Sequence, residues 1–370
     1  MELLIRNGRL VDPDDVARES GEIAIRDGRF VAVSEISQET ATVMDVAGSY
    51  VAPGFIDMHV HVYEDGAVIG IDADRVGVQQ GVTTIVDAGS TGSDGLARFR
   101  ETIIDTHDTE VLAFLNISRK GLCDGLSELA DPADLMGVDE ARTAFAAEPN
   151  LVGLKARMSG SVVREQDVKP LVHARMVADA LGVPIMIHIG NPPPYLPDIL
   201  PLLKKGDIVT HAFHGKEHGI LDTNGEMIPE ARDALTRGVL FDIGHGSASF
   251  SYETLQKFKG KYDEAFTTST DIYERNIETP VGSLMTTMTK LLQLDYSLDE
   301  AVASVTSRAR AALGLHEQGT FALGTVADVT VFDVVDRKMA LVDSNGEVRE
   351  TVKVIEPKMT IKSGRVVWKA

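Results

Sequence analysis

The stretch Gly54–Gly66 reads GFIDMHVHVYEDG and places His59 and His61 two residues apart in an otherwise apolar run. Side chains alternate between the faces of a strand, so the two imidazoles point the same way. The run is apolar on both sides, and that way is therefore inward. Two imidazoles aimed together into an interior cost free energy unless something engages them. Four more polar residues sit near the ends of strand-like apolar runs. They are Lys155 in GLKARMSG, His188 in IMIHIGN, His211 in IVTHAFH and Asp271 in TSTDIY. Taken singly, each has a plain explanation. A lone buried histidine is satisfied by its neighbours, an aspartate caps a helix, and a lysine lays its stem along the rim. Six such residues at five strand ends, where apolar side chains are expected, read as a metal constellation.

Four imidazoles and a carboxylate suit zinc, ahead of manganese, iron or cobalt. One ion cannot easily use the whole set and keep an open position, whereas two can. The lysine then acquires a role. Beside two cations its protonated form is disfavoured. A neutral amine captures carbon dioxide as a carbamate, and that anion can bridge two metals.

The elements that must bring these residues together are legible as a repeat. Strand-like runs cover 50–61, 81–89, 111–117, 151–156, 183–189, 207–212, 239–244 and 265–271. Segments such as DVKPLVHARMVADALG, IPEARDALTRG and SLDEAVASVTSRARAALG intervene or follow, with the three-and-four apolar spacing of helices. Eight β-then-α units predict a (β/α)8 TIM barrel, whose chemistry sits at the C-terminal ends of its strands. A doubly wound sheet is the rival and rarely has eight units.

Both ends of the chain have a different texture, with short alternating strands and tight turns. Asn7-Gly8 and Asp27-Gly28 read as hairpin turns, and Asp333, Asn345 and Ser363-Gly364 as further turns. Residues 1–52 and 320–370 are thus expected to build one small β-sandwich domain, and 53–319 the metal-binding barrel.

Composition bounds the partners. The chain has 370 residues, 44% of them hydrophobic, and a formal net charge of −20. That charge repels nucleic acid and anionic lipid, so neither nucleic acid nor a membrane surface is an expected partner. Cys123 is the single cysteine, which fits a reducing cytoplasm. No signal peptide or membrane-spanning run is visible. The expected partner is a small-molecule substrate. Barrels of this kind often associate, so a homo-oligomer is expected.

The order HxH, Lys, His, His, Asp, with the entry GSYVAPGFIDMHVH and the tail GTFALGTVADVTVFD, resembles the binuclear amidohydrolase superfamily. That group includes dihydroorotases, hydantoinases, ureases and related deacetylases. The resemblance covers essentially the whole chain. It implies that His59, His61 and Asp271 hold the more buried ion, that His188 and His211 hold the more exposed one, and that carboxylated Lys155 bridges them. It also implies that Asp271 acts as general base and then acid.

Dihydroorotases carry an arginine two residues after the second histidine, where this chain has Tyr63. The larger D-aminoacylases usually lack the bridging lysine, and mononuclear deaminases also lack its carbamate. The chain is most similar to a compact bacterial group of amidohydrolase/deacetylase metallohydrolases. That implies removal of an acyl group, above all acetyl, from an N-acetyl amino acid or an O-acetyl hydroxy acid.

The substrate's carboxylate calls for a cation or backbone donors. Arg157, His245 and Ser247 are the candidate contacts. Asn191 and Tyr195 lie in a proline-rich turn that connects strand and helix. His214 and His218 read as supporting or surface residues, and His107, His173 and His316 as structural or solvated. Cys123 lies in a polar loop and is not expected to be a nucleophile. Two rival functions remain: a cyclic amidase of the dihydroorotase or hydantoinase kind, and a non-catalytic binding homologue. The latter tends to lose ligands, and all six are present here.

Overall fold

The computed structural model describes residues 2–15, 21–37, 39–262 and 265–370. Five strands come first: β1 (Glu2–Leu10), β2 (Gly21–Arg26), β3 (Arg29–Val31), β4 (Thr42–Asp45) and β5 (Tyr50–Pro53). Seven follow: β6 (Phe55–Val60), β7 (Val82–Ala88), β8 (Glu110–Asn116), β9 (Leu151–Met158), β10 (Ile185–Ile189), β11 (Ile208–Thr210) and β12 (Leu240–Phe241). The chain ends with β13 (Val329–Val342), β14 (Val348–Lys362) and β15 (Arg365–Lys369).

Strands β6 to β12 form one sheet in sequence order, parallel throughout. Residues 265–272 close it into a barrel. The Ile243 N–H donates to Thr267 O at 3.0 Å on one side, and the His61 N–H donates to Ile272 O at 3.0 Å on the other. This eighth stave was expected to be a regular strand and is not one. Its hydroxyls engage neighbouring carboxylates: Thr267 and Ser269 donate to Asp242, and Thr270 to Asp57. These side-chain bonds to distant parts of the chain hold the stave in place of a regular ladder, and Asp271 at its end has a left-handed φ of 50°. Helices such as Lys169–Leu181 and Pro229–Arg237 cover the outside through small apolar faces, for example Ala174, Val177, Ala231 and Ala234.

The run 50–61, expected as one strand, is split between two sheets. β5 pairs with β13 in the terminal sheet, and β6 belongs to the barrel. Gly54 is the joint. Its N–H donates to Asp328 O at 2.9 Å, and a β-carbon there would collide with Thr83 and Asp328. The step from one domain into the next thus requires the bare backbone of glycine.

The terminal sheet runs β15-β14-β13-β5-β1-β2-β3, with β4 on β1. Leu3, Ile5, Ile23 and Ile25 from the N-terminal strands share one core with Val329, Val331, Met359 and Ile361 from the C-terminal ones. Asp27-Gly28 and Ser363-Gly364 turn as expected, all four residues with positive φ. Two expectations are corrected. Asn7-Gly8 lies inside β1 at a register shift rather than in a hairpin turn, because β1 changes partner there from β2 to β5. Asp333 lies within β13, where it pairs with Lys358 at 3.1 Å. The long β13–β14 hairpin turns at residues 343–347 and lodges against the barrel loop at 245–252. There the Ser344 hydroxyl donates to Gly246 O at 2.9 Å, and Asp343 accepts from the Tyr252 N–H at 3.1 Å.

Candidate active site at the strand ends

His59 and His61 stand at the end of β6, where the register shifts between Asp57 and Val60. Bulges of this kind re-aim side chains at barrel rims. Both rings reach one carboxylate: Nε2 of His59 lies 3.3 Å, and Nε2 of His61 3.2 Å, from Oδ1 of Asp271. Ligand atoms of these three residues all fall within 4.8 Å of one another, the spacing a single cation needs. Asp271 is held by its backbone, with its N–H donating to His59 O at 2.7 Å and its carbonyl accepting from Asn276 Nδ2 at 2.8 Å. Gly246 packs directly upon it, since a β-carbon there would stand 2.5 Å from Oδ2.

The far nitrogens fix the tautomers. Thr210 donates its proton to Asp242 at 2.7 Å, so its oxygen is left to accept from Nδ1 of His59 at 2.8 Å. His61 Nδ1 meets Ser90 Oγ at 2.9 Å. His211 donates from Nδ1 to the carbonyl of Gly244 at 2.5 Å. A carbonyl only accepts, so Nε2 of His211 carries a bare lone pair. It is buried and has no hydrogen-bond partner. Nε2 of His211 lies 3.9 Å from Oδ2 of Asp271, and its ring lies 4.4 Å from that of His188.

Burial holds His59 and His188 well below the ordinary histidine range and pushes His211 down to about 3. These rings are neutral bases at neutral pH. Burial opposes ionisation of Asp271, yet the surrounding histidines, His59 foremost, hold its carboxyl well below the ordinary range. Lys155 is fully buried on β9, with Nζ 3.3 Å from His59 Nε2 and 3.3 Å from the sulfur of Met186. Burial, helped by nearby Arg157, brings its amine down to about 7. Imidazoles held neutral by burial, an ionised carboxylate, an amine that loses its proton near neutral pH and an orphaned buried nitrogen form a donor set that fits divalent cations.

The structure thus brings His59, His61, Lys155, His188, His211 and Asp271 to one cup. The three residues proposed as substrate contacts stand elsewhere in its surroundings. Arg157 already faces a carboxylate, with Nη1 3.2 Å from Glu128. His245 is buried with both nitrogens engaged. Nδ1 faces Gly246 O at 3.0 Å, and Nε2 faces the Lys290 amine at 2.7 Å. Neither nitrogen is left to meet a substrate. Ser247 is exposed, with its hydroxyl 2.9 Å from that of Tyr273.

Tyr63, at the position of the dihydroorotase arginine, is buried against Phe99 with ring centroids 5.2 Å apart. It is part of the core. His214 is buried, and its Nδ1 accepts from the Lys216 N–H at 3.1 Å. His218 is exposed, its ring edge-on to Tyr195. Burial pushes the Cys123 thiol up, away from thiolate chemistry.

Sequence reasoning did not find the hydroxyl and carboxylate backing of the ligands, Thr210–Asp242 and Ser90. It also passed over Lys290, fully buried on helix Leu284–Gln293. Thr210 did carry a signal, because it directly precedes His211 at a strand end.

Fold and donor set together define a class: a barrel hydrolase with a metal cradle at its strand ends. Comparison with known proteins places it more closely. A model described as a deacetylase-like composite domain matches residues 321–367. A protein of Enterococcus faecalis named deacetylase is 37% identical over 370 residues, 99% of this chain and 98% of its own. A solved structure described as an adenine deaminase superposes with a TM-score of 0.93 at 36% identity, covering 100% of this chain and 99% of the other. One described as a dihydroorotase gives 0.91 at 33%, covering 100% and 98%. The chain belongs to the dihydroorotase-like branch of the amidohydrolase superfamily and is a hydrolase acting on C–N bonds. No helix among the described residues is long and apolar enough to cross a membrane.

Proposed function

We propose that this chain is a deacetylase that removes an acyl group, above all acetyl, from a small carboxylate-bearing amide or ester. N-acetyl amino acids and O-acetyl hydroxy acids are the substrate class. The observation that carries this reading is the donor set around Asp271, with His59, His61 and His211 facing its carboxylate and His188 beside His211. The name and near-complete overlap of the Enterococcus relative add to it.

His59, His61 and Asp271 would hold one Zn2+, and His188 and His211 a second, with Lys155 between them as its carbamate. When bound, such a pair supplies Lewis acidity and a water acidic enough to give hydroxide near neutral pH. The protein does the rest. The uncharged Lys155 amine attacks carbon dioxide, forms an N–C bond and releases a proton. Burial of His59, His188 and His211 keeps their lone pairs free of protons. The ionised Asp271 carboxylate takes the proton of the attacking water and returns it to the departing nitrogen or oxygen. Gly246 and Asn276 hold Asp271 in place for both transfers.

The test is a substrate panel with the zinc-loaded protein. Acetate release from N-acetyl-D-amino acids and acetylated hydroxy acids is the expected result. Opening of dihydroorotate or hydantoins without acetate release overturns the reading in favour of the cyclic amidase, for which the dihydroorotase structure speaks. Less than one metal per chain after careful preparation would favour a non-catalytic homologue.

A further inference from the structure

Lys216 lies in the loop HAFHGKEHG, which leaves β11 just after His211. Its side chain is half-buried, and among the described residues no carboxylate lies within ion-pair distance of its ammonium. That is unusual in a chain with 56 acidic and 36 basic side chains. Its Nζ points toward the strand end that carries His188. Gly190 follows β10, two residues beyond His188. The place where a Gly190 β-carbon would stand is 3.4 Å from Lys216 Nζ and 3.7 Å from His188 Nε2, with Ser159 Oγ also at 3.7 Å. Lys216 Nζ, His188 Nε2 and Ser159 Oγ thus converge over the bare backbone of Gly190, and His188 is a ligand of the more exposed metal position in the proposed reading.

Arg157, the other cation on this side, is held by Glu128 at 3.2 Å, a carboxylate that is itself buried. Its charge is spoken for. Lys216 has no such partner, and burial lowers its pKa with no acid nearby to offset the effect. A half-buried cation without a counter-ion is a standing cost that an anionic ligand relieves.

We propose that Lys216 is the specificity-determining residue that binds the substrate's carboxylate, in the niche over Gly190 beside His188. This rests on the deacetylase reading and gives it a polarity. The scissile carbonyl lies on the His188 and His211 side of the cup. The carboxylate, separated from it by the amide nitrogen and the α-carbon, reaches Lys216. The substrate class is therefore an α-acylamino or α-acyloxy acid, and the corresponding carboxamides are discriminated against.

Binding of two uncleavable probes to the zinc-loaded protein tests this without turnover: N-methylsulfonyl-alanine and its carboxamide, compared by calorimetry. The wild type is expected to bind the acid roughly ten-fold or more tighter than the amide, the worth of one charged hydrogen bond. Lys216→Met should erase the preference, leave amide binding and metal content unchanged, and unfold thermally no earlier than the wild type. Lys216→Arg should retain most of it. No acid preference in the wild type, or a preference that survives Lys216→Met but falls in Arg157→Met, overturns the proposal. The two readings fail separately. A Lys216-dependent acid preference without acetate release from any panel substrate refutes the deacetylase and leaves the anion site. Acetate release with equal binding of acid and amide does the reverse.

Discussion

His59 and His61 are each backed by a hydroxyl, from Thr210 and Ser90, and both lean on Asp271. Across the cup, the His188 side chain has no hydrogen bond among the described residues, and Lys155 offers its amine only to His59 and to the sulfur of Met186. The protein alone therefore orders the first side. The second side is ordered in part: Gly244 fixes His211, whereas His188 waits for a cation and Lys155 for carbon dioxide. Outer hydrogen bonds of the first kind fix ring orientation and tautomer before a ligand arrives. A site built this way keeps one half rigid and lets the other half adapt to the substrate.

The largest expected effect breaks the rigid side at its centre. Asp271→Asn keeps the shape and removes the proton acceptor, so acetate release should fall by roughly a thousand-fold. Metal content, read by elemental analysis, should fall less than activity. Loss of metal in proportion to activity would reduce Asp271 to a plain ligand.

The adaptive side is broken at Lys155. Lys155→Ala should cost more than about a hundred-fold, beyond the loss expected from an outer partner. Short carboxylic acids such as propionate should restore part of it by standing in for the carbamate. The pH dependence sharpens the point. Only the uncharged amine attacks carbon dioxide, and the Lys155 amine is brought down to about 7. Reactivation of metal-free protein by zinc and bicarbonate should therefore quicken as pH rises toward 7 and level off above it. A rate still climbing at pH 9 would mean an ordinary lysine.

A smaller effect is expected from Thr210→Val. It removes the link between His59 and Asp242 but no ligand. Zinc affinity or activity should drop about ten- to a hundred-fold, the usual range for such partners. No equivalent substitution exists behind His188. An unchanged affinity in Thr210→Val would mean that the rigid side owes its order to packing instead.

These contrasts also separate what the sequence discloses from what it conceals. The six residues of the cup could be read because each interrupts an apolar run at a strand end, and one barrel rule then brings them together. The terminal sheet could be read from its turns at Asp27-Gly28 and Ser363-Gly364. The eighth stave could not. Its departure from strand geometry comes from hydroxyls paired with Asp57 and Asp242, which lie far off along the chain. Asn7-Gly8 carries the local signature of a turn, yet β1 continues through it because β5 offers a second edge. Arg157 and Lys216 look alike as letters. What distinguishes them is Glu128, which is 29 residues from Arg157 and has no counterpart at Lys216. Partners of this sort belong to the folded state and leave no periodicity behind.

The faintest expected effect concerns the support beneath the loop that touches Asp271. In helix Leu284–Gln293 Lys290 looks like a surface cation, but it is fully buried. Its amine faces His245 Nε2 at 2.7 Å and Pro280 O at 2.6 Å. Burial brings its pKa from 10.5 to about 7. Below about 7 the amine is charged in both the folded and the unfolded chain, and the folded state bears the full cost of a buried ammonium. Between about 7 and 10.5 the unfolded chain holds a proton that the folded chain has released, so stability rises with pH. Urea unfolding of wild type and Lys290→Met, compared from pH 7.5 to 9.5, should show the difference moving in favour of the wild type. The slope should approach about 1.4 kcal/mol per pH unit. Taking the difference cancels the contribution of Lys155, which both proteins share. Acetate release should change by no more than a few-fold, because Lys290 meets the loop from behind and touches no ligand. A pH-independent difference would mean that the buried amine keeps its ordinary pKa, and that the loop holding Gly246 against Asp271 rests on a charged pair.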